Sequence, residues 1–399
     1  MTSNNTVGNG PRPESRRRAV RFIVLLGVIS LLGDVTYEGA RSVTGPFLGA
    51  LGASAAAVGF VSGLGELVGY GLRLVSGYLS DRTGNYWTIA LTGYVVNLLA
   101  VPALALAGRW EIAAALIVAE RVGKAIRKPA RDAMLSHAAS EVGRGWGFGL
   151  HEAMDQTGAV LGPLIVSAVL FFGGGYRSSF AILLIPALMA ICVLAAARFL
   201  YPNPRDMEVT SPAPSTGSLP RVFWLYLAAV ALVAAGYADY PLIAYHFHKA
   251  AVVRPDWIPV LYAVAMGVDA IAALVFGRLY DRSGLVVLAG AAAISALFAP
   301  LVFLGGAGLA WAGVALWGIG MGAQESIMRA AIADMAPSDR RGTAYGVFNA
   351  GFGVFWFAGS ALMGLLYDIS IASLVAFSVA AQIASIPLLL RVARREQAA

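Results

Sequence analysis

Charge is scarce in this chain. Only 13% of its 399 residues are charged, against 58% hydrophobic, whereas a soluble domain carries about 25% charged residues. A water-soluble fold could not hide that much apolar surface, so the bilayer is the expected solvent. Cysteine occurs once, at Cys192, which excludes an intrachain disulfide and a Cys-based metal site. Histidine occurs four times; His246 and His248, two residues apart, face different sides of a helix, so no joint metal role and no metal site is expected. HExxH, P-loop and Ser-His-Asp order are all missing, so neither an enzyme nor a cofactor is expected. The net charge of +7 does not indicate nucleic acid, because the basic residues fall between hydrophobic runs and form no stripe with interleaved aromatics.

What the chain does have is apolar runs, about twelve of them, each near the roughly 20 residues a helix needs to cross about 30 Å of hydrocarbon. They cover 20–50, 55–79, 87–107, 110–135, 145–172 and 178–199, then 221–248, 256–279, 284–306, 308–335, 342–368 and 370–391. The expected fold class is an all-α membrane protein of twelve transmembrane helices in two pseudo-symmetric six-helix bundles. The expected division is a tail over 1–19, an N-terminal bundle over 20–199, a linker over 200–220 and a C-terminal bundle over 221–399.

Basic residues set the orientation. Arg12, Arg16, Arg17, Arg18 and Arg21 precede the first run, Arg391, Arg394 and Arg395 follow the last, and Arg82, Arg144, Arg205, Arg221, Arg278, Arg282, Arg340 and Arg341 occupy alternate loops. The opposite loops hold Arg109, Arg177, Lys249 and Arg254. By the positive-inside rule both termini and the linker are cytoplasmic, as expected of a multi-pass protein of the cell (inner) membrane. Arg16 to Gly33 has the pattern of a secretory signal, yet Asp34, Glu38 and Arg41 interrupt the run and it is too long, so it reads as a retained first helix.

Two segments recur. Gly77-Tyr78-Leu79-Ser80-Asp81-Arg82-Thr83-Gly84 and Gly277-Arg278-Leu279-Tyr280-Asp281-Arg282-Ser283-Gly284 share Gly-x-Leu-x-Asp-Arg-x-Gly, each where an apolar run ends. Arg144-Gly145-Trp146-Gly147-Phe148-Gly149 aligns with Arg341-Gly342-Thr343-Ala344-Tyr345-Gly346, and Gly162 then falls opposite Gly359. Two matches at nearly one offset indicate duplication. In a membrane protein, two related halves point to a transporter.

The duplicated turn resembles the loop signature between helices 2 and 3, and 8 and 9, of the major facilitator superfamily, and the resemblance covers nearly the whole chain. It implies that Gly77, Asp81, Arg82 and Gly84, with Gly277, Asp281, Arg282 and Gly284 in the second half, belong to latches between the halves on the cytoplasmic side. Arg131 and Asp132 join this latch set. Asp81 is expected to face the positive N-terminus of the helix starting near Gly342 and basic groups such as Arg131. The basic positions that usually follow the signature are Asn85 and Tyr86 here. Gly149, Gly158 and Gly162-Pro163 resemble the helix 5 signature of the family's antiporters, with Val166 replacing its final Gly. Small residues there let helix backbones approach, and Pro163 removes a hydrogen bond where the helix must bend. This resemblance implies export.

Ionisable groups within spans cost about 2.5 to 3.5 kcal/mol each at the bilayer centre unless paired or hydrated. Asp34, Glu38 and Arg41 lie along one face of the first helix with Tyr37 beside it. A Glu38–Arg41 ion pair is the plain structural alternative, and Asp34, with no local cation, is the stronger proton-site candidate. Helix 4 carries Glu120, Arg121, Lys124, Arg127, Lys128, Arg131 and Asp132; from Arg127 onward these are expected to snorkel to the interface. Glu120 and Arg121 sit deeper, and Arg121 followed by Gly123 loosely matches an Arg that serves proton coupling in related exporters. Other buried candidates are Glu66, Arg73, His151, Glu152, Asp155, Asp239, Asp269, Gln324, Glu325 and Arg329, with His151 and Asp155 one turn apart as a relay or a metal-binding pair.

The expectation is a proton-coupled exporter of a small organic solute or drug, a monomer working by alternating access. Asp34, Glu38, Glu120, Arg121 and Asp155 are the expected proton-coupling residues. Tyr37, Arg41, Glu66, His151, Glu152, Asp239, Tyr240, Asp269, Glu325, Tyr345, Asn349 and Trp356 are expected to line the substrate cavity. The partners are the solute, protons and the lipid bilayer. The stretch from Arg121 to Pro163 also resembles a bacterial subgroup that includes presumed metal-resistance exporters, so a nickel-like metal exporter is one alternative and a proton-coupled importer another. Nickel exporters of that subgroup tend to have a His-rich tail, and Arg394 to Ala399 has none.

Overall fold

The computed structural model describes residues 13–202, 219–336 and 341–397. Its regular elements are α1 (Pro13–Ala50), α2 (Ala55–Thr83), α3 (Tyr86–Ala103), α4 (Trp110–Ser140), α5 (Arg144–Phe171), α6 (Tyr176–Ile182), α7 (Leu184–Leu200), α8 (Arg221–Gly236), α9 (Tyr240–Lys249), α10 (Trp257–Ser283), α11 (Val286–Ser295), α12 (Phe298–Phe303), α13 (Ala307–Met335), α14 (Arg341–Ile369) and α15 (Ile371–Gln397). No strand occurs among the described residues. α6 with α7, α8 with α9 and α11 with α12 form single interrupted spans, so the elements follow the apolar runs of the sequence closely. Ten segments are long and apolar enough to cross a membrane. α4, laden with charge, and the glycine-rich α13 fall outside that ten yet pack inside the bundle, against α2 and α3 and against α10 respectively.

Helix ends are set by local chemistry. Ser54 Oγ accepts from the Ala57 backbone N–H at 3.2 Å to start α2. α2 stops at Gly84 in the left-handed conformation (φ 64°, ψ 8°), and α10 stops at Gly284, which shares the positive φ of 63° but turns away with ψ −153°. The final glycines of the repeated turn therefore close equivalent helices. Its first glycines also match in role: Gly77 packs on Pro129 of α4 and Gly277 on Ser326 of α13.

The first group of helices packs through α1 on α5 and α7 and α4 on α2 and α3, and the second through α10 on α13 and α8 on α14 and α15. They meet where α1 crosses α9, α2 crosses α14 and α5 crosses α10. On the side opposite the chain ends these crossings are tight. A Cβ on Gly45 would lie 1.8 Å from the Pro241 carbonyl oxygen. Asp368, at the end of α14, accepts from the Ala55 and Ala56 N–H groups at 3.3 and 2.9 Å, capping α2 from the other half. Ser167 of α5 donates to the Asp256 carbonyl at 2.7 Å. Toward the side that bears the chain ends, Glu152, Glu325 and Arg329 are exposed although they sit within long spans. They are within electrostatic reach of one another, which requires an aqueous space between the halves.

Candidate transport site

The site begins with a broken helix. The span of α8 and α9 unwinds at Tyr237 to Asp239, freeing backbone carbonyls that hydrocarbon cannot satisfy. Ser378 donates to the Gly236 carbonyl at 2.6 Å and Trp317 Nε1 to the Ala238 carbonyl at 2.9 Å, so protein groups replace the missing helical partners. Asp239 caps α9, accepting from the Tyr240 N–H at 2.9 Å. Pro241 fits the first turn, where its missing N–H costs nothing. The break thus aims a carboxylate of the second half at the first.

Arg41 of α1 meets it. Its Nη2 lies 2.7 Å from Asp239 and 3.3 Å from Glu66 of α2. Glu66 is shared with Arg121 of α4 at 3.3 Å, and Arg121 also holds Glu120 at 3.3 Å. Asn97 of α3 fixes Glu120, donating to its carboxylate at 2.7 Å and to its carbonyl at 3.0 Å. All of these groups are buried or nearly so. Three helices of the first half and one break in the second therefore share one alternating chain of charge, with an amide of α3 bonded to its end. Among the described ion pairs, Arg41–Asp239 is the one that joins the halves.

Glu38 does not pair with Arg41, so the structural alternative of an intrahelical ion pair is not formed. Arg41 is taken by two stronger-placed carboxylates, and Glu38 accepts from the Tyr37 hydroxyl and, across the halves, from the Tyr262 hydroxyl at 2.5 Å. The Lys124 ammonium sits 3.4 Å from the Tyr37 ring centroid.

A second cluster lies nearer the chain ends. Asp34 has a local cation after all: Arg127 Nη2 is 3.7 Å away. Arg127 does not snorkel but is 1% exposed, with its guanidinium stacked 4.4 Å from the Tyr94 centroid. Helix 4 is buried on that face by α3 and α1, leaving the side chain no route to water. Arg131 is buried as well. It holds Asp132 at 2.8 Å, Ser30 at 2.9 Å and Asp155 at 3.6 Å. Ser30 in turn contacts His151 Nε2 at 2.8 Å, so Ser30 and Arg131 add a hydrogen-bonded link between His151 and Asp155. Asp81's side chain and the residues before Arg341 lie outside the described ones, as does the expected contact of Asp81 with the start of α14. Arg82 folds back onto Tyr78 of its own helix, donating at 3.0 Å. Asp281 and Arg282 are exposed.

Of the antiporter-type positions, Gly158 and Gly162 do permit close approach: a Cβ would lie 2.3 Å from the Leu31 and Val35 carbonyls of α1 respectively. Gly149 faces open space instead. α5 runs as one helix through Pro163. Tyr240 is a core residue and not a cavity lining, fully buried against Tyr262 and Trp317 with its hydroxyl on the Ile258 carbonyl. Trp356 stacks with Tyr237 and Phe352, its Nε1 unpartnered. Tyr345 donates to the Arg329 carbonyl at 2.9 Å, and Asn349 is half-buried. Asp269 is 3% exposed, lies against Gln156 of α5 and leaves Oδ1 unpartnered. His246 meets Tyr367 and His248 meets Tyr176, on different sides as the spacing requires. Cys192 is exposed on α7 and not packed inside it.

Sequence reasoning missed Ser30, Asn97 and Tyr262. Asn97 had a signal, a lone amide in the apolar run of α3. Ser30 and Tyr262 had none, being ordinary residues of membrane helices until the fold sets them beside charge.

Twelve spans in two packed groups, sealed at one end and sharing charge near mid-depth, define a secondary transporter. The chain belongs to the Major Facilitator Superfamily, whose model matches residues 30–360 and 256–398. An uncharacterized protein of Mycobacterium tuberculosis is 43% identical over 372 residues, 92% of this chain and 91% of its own. An uncharacterized MFS-type transporter of Methanocaldococcus jannaschii is 28% identical over 380 residues, 90% of this chain and 91% of its own. The multidrug resistance protein MdtH of Proteus mirabilis is 29% identical over 159 residues, covering 40% and 39% of the two chains. Among solved structures, a bacterial homolog of the human lysosomal transporter Spinster, inward-facing and unoccupied, superposes with a TM-score of 0.69 at 14% identity, over 96% of this chain and 97% of that one. That likeness is one of fold.

Proposed function

We propose that this transporter exports a small organic solute in exchange for protons, from a cell membrane in which both termini face the cytoplasm. The observation that carries the coupling is the Arg41–Asp239 pair, the ionic link between halves, drawn from the same guanidinium that Glu66 competes for. A proton on Glu120 removes one partner of Arg121, which then turns wholly to Glu66. Glu66 in turn releases its hold on Arg41, and Arg41 is left to Asp239. Protonation therefore tightens the seal on the far side and favours the state open toward the chain ends, the direction in which a proton-loaded antiporter must move. Asp34 and Asp155, held by Arg127 and Arg131, are the carboxylates between this network and the open side. The glycine approach of α5 on α1 and the partial likeness to a multidrug resistance protein support export.

One proton entering down about 150 mV supplies roughly 3.5 kcal/mol, at about 2.3 kcal/mol per 100 mV, enough for a few hundred-fold gradient of a neutral solute. The test is a panel of labelled solutes in proteoliposomes with an imposed proton gradient. Asp34→Asn is expected to abolish uphill export and keep downhill exchange. Wild-type gradient-driven export in Asp34→Asn, Glu120→Gln and Asp155→Asn alike would show these carboxylates to be structural.

A further inference from the structure

The space open toward the chain ends is lined by charges that the network above does not use. Arg73 of α2, Lys128 of α4 and Arg329 of α13 come from both halves and lie within electrostatic reach as a cationic group. None makes an ion pair within 4 Å among the described residues, and Arg73 rests its guanidinium 4.8 Å from the Tyr70 ring centroid, its Nε buried and unpartnered. Glu152 of α5, Asp269 of α10 and Glu325 of α13 form a matching anionic group within reach of one another, also without an ion pair. Carboxylates and cations free to pair would do so in a low-dielectric interior. Glu325 and Arg329 are one turn apart on α13 yet form no pair among the described residues, and Gly69, Gly71, Gly149 and Gly267 have nothing within 4 Å of them.

Asp269 lies deeper than the cations, whereas Glu152 and Glu325 share the depth of Arg73 and Lys128, at about two to three and a half turns. Arg329 lies within about two turns of the end of α13 that faces the open side, whereas Asp269 lies about four turns from the corresponding end of α10. Asp269 is the deepest of these groups and the most buried; its carboxyl lies against Gln156 and within electrostatic reach of Glu152, both of the opposite half, and its Oδ1 is unpartnered. Aromatic surface stands beside both groups: Tyr70, Phe352 and Trp356 form a continuous row of edge-on and tilted ring contacts, and Trp356 adjoins Tyr237, which is near Asp269.

Building on the export reading, we propose that the solute is zwitterionic, with a protonated amine bound at Asp269, a carboxylate bound by Arg73, Lys128 and Arg329, and an apolar or aromatic body between them. The chemistry recognised is that of an amino acid or short peptide of apolar side chains. A solute entering from the open side passes its ammonium inward to Asp269 and leaves its carboxylate near the mouth. Each charged hydrogen bond is worth about 1.5 to 3 kcal/mol.

The experiment is equilibrium binding to the full-length protein in lipid nanodiscs with no gradient. Apolar amino acids, dipeptides and tripeptides are each compared with their methyl ester, which lacks the anion, and their N-acetyl form, which lacks the cation. At least one zwitterion is expected to bind, with its ester and its N-acetyl form each weaker by about tenfold or more. Asp269→Asn is expected to weaken the zwitterion while leaving the N-acetyl form unchanged, and Lys128→Gln with Arg329→Gln to do so while leaving the ester unchanged. Esters binding as tightly as their zwitterions would make this a carrier of cations, N-acetyl forms binding as tightly would make it one of anions, and no binding by any zwitterion would also overturn the proposal. Zwitterion binding without gradient-driven export would refute the export reading alone, and export without charge discrimination would refute this one alone.

Discussion

At the scale of single residues, burial makes each charge of the Asp239–Arg41–Glu66–Arg121–Glu120 network depend on its partner. Arg41→Gln leaves Asp239 without its cation and Glu66 with half of its compensation, and loss of one partner from a buried pair costs about 3–5 kcal/mol. Thermal unfolding in detergent should show that loss. Adding Asp239→Asn should recover part of it, because the second change removes the stranded carboxylate. Additive losses in the double variant would mean that the pair does not couple the halves.

Among elements, close backbone approach decides which state is stable. Gly45→Val inserts side-chain atoms where a Cβ already falls 1.8 Å from the Pro241 carbonyl, so α1 and α9 must separate. A glycine near the opposite end of the bundle carries no such demand: Gly149→Ala meets nothing within 4 Å. Cysteine labelling at Thr44, which lines a small cavity behind the seal with Leu48 and Pro241, should rise in Gly45→Val and stay at the background level in Gly149→Ala. Unchanged labelling in both would mean that the α1–α9 crossing is not the seal. Asp368, capping α2 from α14, belongs to the same closure.

On the scale of the whole molecule, the repeated turns and the loop charges make two further demands. Asp81→Asn should unbalance the two access states and slow turnover with folding intact, while Asp281→Asn, at an exposed position in the second half, should do less. Equal defects, or none in either, measured by transport in proteoliposomes, would remove the latch from the account. Cysteines at Ser215 and Ser140 should be labelled from the cytoplasm and one at Ala307 from outside. Native Cys192, mid-way along the apolar span of α6 and α7, should react poorly and can be replaced by Ala as background. Reversed accessibility would overturn the orientation, and with it the direction of transport.

The spans were legible in the sequence because crossing a bilayer is a local requirement: about 20 apolar residues suffice, whatever the neighbours do. The duplication was legible for a similar reason, since the glycines of the repeated turn meet backbone demands that no other residue meets as cheaply, seen at Gly84 and Gly284. That Asp34, Glu38, Arg41, Glu120 and Arg121 belong inside the bundle also followed from cost alone. Which of them pair did not. Arg41 lies three residues from Glu38 yet binds Asp239, 198 residues away, because a broken helix in the other half delivers a carboxylate at 2.7 Å. Arg127 was expected at the interface because its distance from the helix end permits snorkelling, but α1 and α3 close over that face. Sequence determined which charges the membrane would force inward, through a one-dimensional rule of hydropathy; tertiary structure decided their partners, because pairing depends on the side chains that separate helices bring within about 4 Å of one another.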